Sequence, residues 1–323
     1  MAGAMTARPR LSRAALAKTA KCPRLKQRQG LGRLKDRLVR ERTLRTYRAH
    51  LKLFVTWMQL TNRRVPQRTH EFDTMLCEYA QCLWEEGDAR SVLSNTLCAV
   101  THEVRALKSQ LGGAWQLHNC WSRIELPRRA PAIPTMTARG IAGYFLKRGF
   151  VGTCIMVLLA HHCILRTTEM LTLLTTDITF SEVGALLTLR DTKMGGRIGV
   201  TEQVTVTEPA LRQALERWVA KRLRGLPVCD LTPYKFRKTW HEAMQRLHLP
   251  SETQPYGLRR GGATTLFQHS GTFDTVANIG RWTTLKACRV YVTTVLAEWN
   301  SWTQSPASVS ACDQHGALLQ ALL

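Results

Sequence analysis

The chain has 323 residues and a formal net charge of +23. That length leaves room for two ordinary domains, each with its own core, and the charge exceeds what solubility requires and suits a polyanionic partner such as nucleic acid. Ten scattered cysteines, with no Cys-x-x-Cys pair and no secretory leader ahead of them, argue against a disulfide framework and predict reduced thiols in an intracellular protein.

The first 35 residues contain no acidic residue and are rich in Arg, Lys and Ala. Residues 1–39 therefore read as a basic, disordered arm gripping DNA, or as an organelle transit segment. From Thr43 onward Leu44, Tyr47, Leu51, Phe54 and Met58 recur at helical spacing, with Arg45, Arg48 and Lys52 as a basic stripe beside them that can touch phosphate. A second helix is expected around Phe72, Leu76, Tyr79 and Leu83, ending at Gly87. A third is expected from about Ser91 through Leu93, Leu97, Val100, Val104, Leu107 and Leu111 to the Gly112–Gly113 pair. Residues 40–126 thus read as an all-helical DNA-binding domain. Pro127, Pro131 and Pro134, with Arg128 and Arg129, predict an extended basic linker over 127–134 and a domain boundary there.

Helices are expected near 137–148 and 152–165. The apolar run from Phe150 to Leu165 is broken by His161 and His162 and is shorter than the ~20 residues of a membrane span, so it predicts a buried helix and no membrane association. His161, His162 and Cys163 are adjacent and would point in different directions on a helix, which argues against a shared metal ion. Alternating residues 185–189 and 203–207 predict a small hairpin with Lys193 near its tip and a Gly195–Gly196 turn. Helices resume at 209–222 and after Thr232, an N-cap followed by Pro233. From Asn300 the tail is polar until the apolar stretch 317–323.

Three short contexts carry the chemistry. Leu165-Arg166-Thr167-Thr168-Glu169 puts a carboxylate three residues from an arginine, on one helical face, where it can orient the guanidinium. Tyr256-Gly257-Leu258-Arg259-Arg260-Gly261-Gly262 places two glycines inside a helical stretch, at ~1 kcal/mol each against Ala, which predicts close approach of another backbone from protein or DNA. Gly280-Arg281-Trp282 is followed nine residues later by Tyr291. Two guanidinium forks, an ammonium and a phenol suit cleavage of a phosphodiester without a metal.

In this order, with 27 residues from Arg166 to Lys193 and 23 from Arg259 to Trp282, these contexts resemble the catalytic domain of the tyrosine recombinases, the phage-integrase family. Thr43-Leu44-Arg45-Thr46-Tyr47, leading to Phe54 and Trp57, resembles that family's core-binding domain, so the resemblance spans about residues 40–297. The wording Leu-Arg-Arg-Gly-Gly-Ala-Thr is most similar to recombinases of mobile elements. The resemblance implies a mainly α protein with a small β-sheet: a helical, SAM-like core-binding domain, then a mixed α/β catalytic domain over 135–299 and a C-terminal tail over 300–323. It also implies that Arg166 and Arg259 clamp the scissile phosphate of double-stranded DNA, that Lys193 protonates the leaving 5′-oxygen, and that Tyr291 forms a 3′-phosphotyrosine. Trp282 would donate to the phosphate or pack the site, and Glu169 would support Arg166.

Arg45, Arg48, Lys52, Arg128, Arg129, Arg260 and Arg281 are the expected DNA contacts. No cofactor is implied. The expected assembly is a dimer to tetramer on DNA, with the C-terminal segment docked on a neighbouring protomer, in the nucleus of a eukaryote or otherwise the cytoplasm or nucleoid. One departure is Tyr256, which stands where the family usually has His. A phenol is the poorer proton shuttle near neutral pH, and neither His241 nor His269 is counted as its substitute. Two further readings fit the same residues: a recombinase derivative that binds DNA with impaired catalysis, and supercoil relaxation of the type IB topoisomerase kind.

Overall fold

The computed structural model describes residues 38–126, 129–190, 201–292 and 304–323. It divides between Arg128 and Arg129 into two compact units. Residues 1–37 of the expected arm and Arg128 lie outside the described residues, as do Lys193 and the Gly195–Gly196 turn.

Among its described residues the first unit is a helical bundle of α1 (Glu41–Leu60), α2 (Thr69–Glu85), α3 (Arg90–Glu103) and α4 (Gly112–Ile124). Helix α1 buries Leu44, Phe54 and Met58 and leaves Arg45, Arg48 and Lys52 exposed, as its amphipathic period requires. The core continues through Leu76, Leu93 and Leu97. Helix α3 stops at Glu103, earlier than its apolar spacing suggests, and Leu107 and Leu111 reach the core from a short 3₁₀ turn and a loop. Gly112 and Gly113 begin a helix where an end was expected. The cause is Asp73, far away in sequence, whose carboxylate accepts the amides of Gly113 (2.8 Å) and Ala114 (2.9 Å). A Cβ at Gly113 would stand 2.9 Å from that carboxylate, so the cap itself selects glycine.

Among its described residues the second unit packs helices and one sheet about α6 (Val151–His162), which is buried from Gly152 to His161. Asp230 caps α6 by accepting the amides of Gly152 and Thr153, both at 3.0 Å. Around it lie α5 (Thr135–Lys147), α7 (Thr167–Thr172), α8 (Pro209–Ala220), α9 (Pro233–Arg246), α10 (Gly257–Ser270), α11 (Phe273–Gly280) and α12 (Leu285–Arg289). Thr232 caps α9 through the amide of Lys235, at 3.4 Å. The sheet is antiparallel in the order β1 (Ile178–Phe180), β2 (Ala185–Leu189), β3 (Glu202–Val206), with Leu187 paired to Ile178 on one side and Val204 on the other. The hairpin is thus joined by a third strand, too short for alternation to announce.

The residues expected as a linker are partly built into this unit. Ile133 is buried, its amide donates to Gly257 O at 3.1 Å, and its carbonyl accepts His161 Nε2 at 3.2 Å. Helix α10 sits hard against this segment and α6. A Cβ at Gly261 would fall 1.8 Å from Ile133 O, and one at Gly262 would fall 1.9 Å from His161 O, so the two glycines answer to close protein backbone.

The C-terminal segment, expected as a polar tail, is a helix, α13 (Pro306–Ala317), followed by a 3₁₀ turn over Leu318–Ala321. It packs on α5 of its own chain, close enough that a Cβ at Gly143 would fall 1.8 Å from His315 O, and it buries Cys312 and Leu319. Its buried face includes the polar Ser308 and His315, so composition conceals the helix. Among the described residues no helix is long and apolar enough to cross a membrane, and no three His, Cys, Asp or Glu side chains could share a metal ion.

Candidate active site

Arg166 does not lie on a helical face. It is the N-cap of α7, with φ −74° and ψ 149°. Glu169, at the third helical position, accepts its backbone amide at 2.8 Å and its Nη1, so one carboxylate fixes both the helix start and the guanidinium. Glu202, at the head of β3, is a second carboxylate on the same nitrogen, at 3.3 Å. Burial pulls the Arg166 pKa down, but Glu169 and Glu202 outweigh it and leave it raised.

Arg259, on α10, is 1% exposed. Its Nη1 donates to Ile164 O and its Nη2 to Gly280 O at 2.6 Å, while its buried Nε has no partner among the described residues. Its Cζ stands 4.5 Å from the Trp282 ring centroid and 5.6 Å from that of Tyr291. Burial first, then the charges of Arg166 and Arg281, lower its pKa to about 10, which still leaves it charged at neutral pH. The Ile164 carbonyl is delivered by a left-handed backbone, φ +53°, which costs a β-branched residue about 1–3 kcal/mol and is held by complete burial of the side chain.

Tyr291 follows α12 in a turn, its amide bonded to Cys288 O at 2.8 Å. Its ring packs on Trp282 (centroids 4.6 Å), and its hydroxyl meets that of Tyr256 at 2.5 Å. Tyr256 caps α10 and is half-exposed; burial and the bond to Tyr291 push its phenol up to about 12. Trp282 reaches this place because Arg281 turns the chain in the left-handed region (φ +58°). The indole then lies over Gly280, where a Cβ would be 1.8 Å from the ring.

Arg166, Glu169, Tyr256, Arg259, Trp282 and Tyr291 are thus gathered in one place, with phenols beside guanidinium groups. Two expected DNA contacts are not on the surface. Arg281 is 9% exposed in its side chain and engages Glu169 (2.8 Å) and Glu202 (3.2 Å), and Arg260 is buried, with the Tyr256 and Tyr291 phenols within electrostatic reach. Both lie next to residues of the site, and packing around those residues takes their neighbours inside. Arg129 is exposed, and its charge depresses the pKa of Arg260 after burial. His269 bonds Thr265 O within its own helix and lines a separate cavity of about 990 Å³ that none of the six gathered residues lines. His241 is exposed on α9. Sequence reasoning missed Glu202, because no local pattern connects a strand residue to an arginine 36 positions earlier.

Residues 150–296 match the phage integrase family. No curated protein matches the chain. Among solved structures, the chain is similar to the Tn1549 transposon integrase in complex with circular intermediate DNA, at 15% identity over 86% of this chain and 98% of that one, with a TM-score of 0.58. It is also similar to the XerH site-specific recombinase bound to a palindromic difH substrate in a post-cleavage complex, at 16% identity over 72% of each chain and a TM-score of 0.52. The first likeness spans nearly the whole of the solved chain, and at these identities it is a likeness of fold. The second unit of this chain therefore carries a phage integrase family domain, folded as in the tyrosine recombinases.

Proposed function

We propose that this protein cleaves and rejoins double-stranded DNA at specific sites through a covalent phosphotyrosine. The observation that carries this reading is the placement of the Tyr291 phenol against the Trp282 ring, near the Arg259 guanidinium and in hydrogen-bond contact with Tyr256. The Tyr291 oxygen attacks the phosphorus, the P–O5′ bond breaks, and the enzyme is left joined to the 3′-phosphate. The phenolic proton leaves through the Tyr256 hydroxyl to solvent, and the 5′-oxygen takes a proton from Lys193. Arg166 and Arg259 hold the non-bridging oxygens as charge shifts onto them. Attack by a hydroxyl of a second DNA reverses the step and exchanges strands without ATP, because the ester preserves the energy of the broken bond. Arg45, Arg48 and Lys52 on α1 track phosphates, and several protomers act on paired sites.

A second reading, DNA binding with impaired cleavage, is favoured by one observation: Tyr256 keeps its proton far above neutral pH and so cannot serve as a base. A nicked duplex that traps cleavage, offered in EDTA, decides between them. The expected result is an SDS-resistant protein–DNA adduct that disappears in Tyr291→Phe; absence of the adduct from the unaltered protein rejects the enzymatic reading. Recombination of two marked sites, set against relaxation of a supercoiled circle, separates strand exchange from topoisomerase chemistry.

A further inference from the structure

Four charged side chains from three separate elements close on one another beside the site. Arg166 Nη1 meets Glu169 Oε1; Glu169 Oε2 meets Arg281 Nη2 at 2.8 Å; Arg281 Nε stands 3.2 Å from Glu202 Oε2, an ion pair without hydrogen-bond alignment; and the same Glu202 oxygen returns to Arg166 Nη1 at 3.3 Å. We propose that Glu202 and Arg281 are positioning residues for Arg166, completing with Glu169 a ring of alternating charge that sets the angle of its guanidinium toward the scissile phosphate. The inference rests on the reading of Arg166 as a phosphate ligand.

The geometry explains why a ring is used. A guanidinium is planar, so two carboxylates arriving at one nitrogen from different elements fix its plane as well as its position. Both land on Nη1, and among the described residues Nε and Nη2 remain unengaged for an anion. Two positive and two negative groups balance, so the ring adds orientation and not net attraction. It is also shielded: side-chain exposure is 2% for Glu169, 9% for Arg281, 15% for Glu202 and 20% for Arg166. Removing one member there leaves a charge without its counterpart in a poorly solvated place. Arg281 holds a left-handed backbone that is costly for any residue but glycine, and its guanidinium also reaches Ile164 O at 3.4 Å, the carbonyl that takes Arg259 Nη1. The ring therefore touches the support of the second arginine. Glu202 begins β3, nine residues after Lys193 in sequence, and so ties the hairpin strand to Arg166.

The test is Glu202→Gln in the full-length protein, which keeps shape and removes charge, read in two ways. In the DNA-free protein, rotation of the Arg166 guanidinium is followed by nitrogen-15 NMR; slow rotation in the unaltered protein that becomes fast in Glu202→Gln is expected, and unchanged rotation overturns the ring. With the nick-trapped duplex, well below the melting temperature of both forms, the adduct rate is expected to fall between about tenfold and a hundredfold while DNA affinity holds. A parallel fall in affinity, or a melting temperature so low that unfolded protein accounts for the lost rate, overturns the positioning role in favour of a structural one. Arg281→Lys, which keeps charge but loses the fork, is expected to reproduce the loss of rate. Failure of the unaltered protein to form any adduct rejects the cleavage reading by itself, and the rotation measurement still decides whether the ring holds Arg166.

Discussion

Tyr256 and Tyr291 share a hydrogen bond, and this pairing sets the pH behaviour expected of the reaction. The Tyr256 phenol, pushed up to about 12 by burial and by Tyr291, stays protonated near neutrality and can relay a proton only outward to solvent. The single-turnover adduct rate is expected to keep rising from about pH 7 to about pH 9, whereas Tyr256→His should bring a plateau near about pH 7. A flat profile for the unaltered protein across that range would count against the relay. His161 supplies a second pH effect, on stability. Burial pulls its pKa down to about 4, against the smaller upward pull of its bond to Ile133 O. A depressed folded-state value means that stability is intact above the unfolded value of 6.5 and is lost as pH falls towards 4. By about pH 5 the loss should reach about 2 kcal/mol, seen as a lower urea midpoint, and His161→Gln should flatten that slope. Arg166, Arg259 and Tyr291 stood out in the sequence by the joint order and spacing of their contexts. The Arg281 and Glu202 contacts did not, because nothing local tells an arginine pointing to solvent from one paired inside.

At the level of the elements, helix ends and close crossings decide what can change. Asp73 and Asp230 cap α4 and α6 from a distance, so Asp73→Ala or Asp230→Ala should each cost about 1–2 kcal/mol in urea unfolding. The glycines separate sharply in kind. Gly262→Ala would drive a methyl group into His161 O and push α10 off α6, and its melting temperature should drop well beyond that of either cap variant. Gly112→Ala meets nothing within 4 Å and should be neutral or up to about 1 kcal/mol stabilising. Periodicity revealed helices because an amphipathic stripe is written locally, as in α1 and α2, and a cap followed by proline announced α9. Periodicity failed at the end of α3, where Leu107 and Leu111 continue the spacing in a chain that has already turned, and at α13, whose apolar contacts depend on two glycines of α5.

For the whole molecule, the proposed function together with the net charge of +23 predicts a DNA affinity that falls steeply with salt. Replacing Arg45, Arg48 and Lys52 together by Gln should lower the slope of log affinity against log salt by about 2 to 3, measured by titration at several salt concentrations. An unchanged slope would remove α1 from the phosphate contacts. Composition and short contexts by themselves determined a basic chain with two helical regions, a small hairpin and a set of arginines and tyrosines in a fixed order, since each of these is written in neighbouring positions. Only the tertiary structure decided that β1 joins the hairpin, that Ile133 anchors the segment before α5, that a second phenol meets Tyr291, and that Arg281 turns inward to Glu169 and Glu202. Those facts are contacts between residues far apart in the chain, settled by packing and by the cost of leaving a buried charge unpaired, and linear spacing carries no record of either.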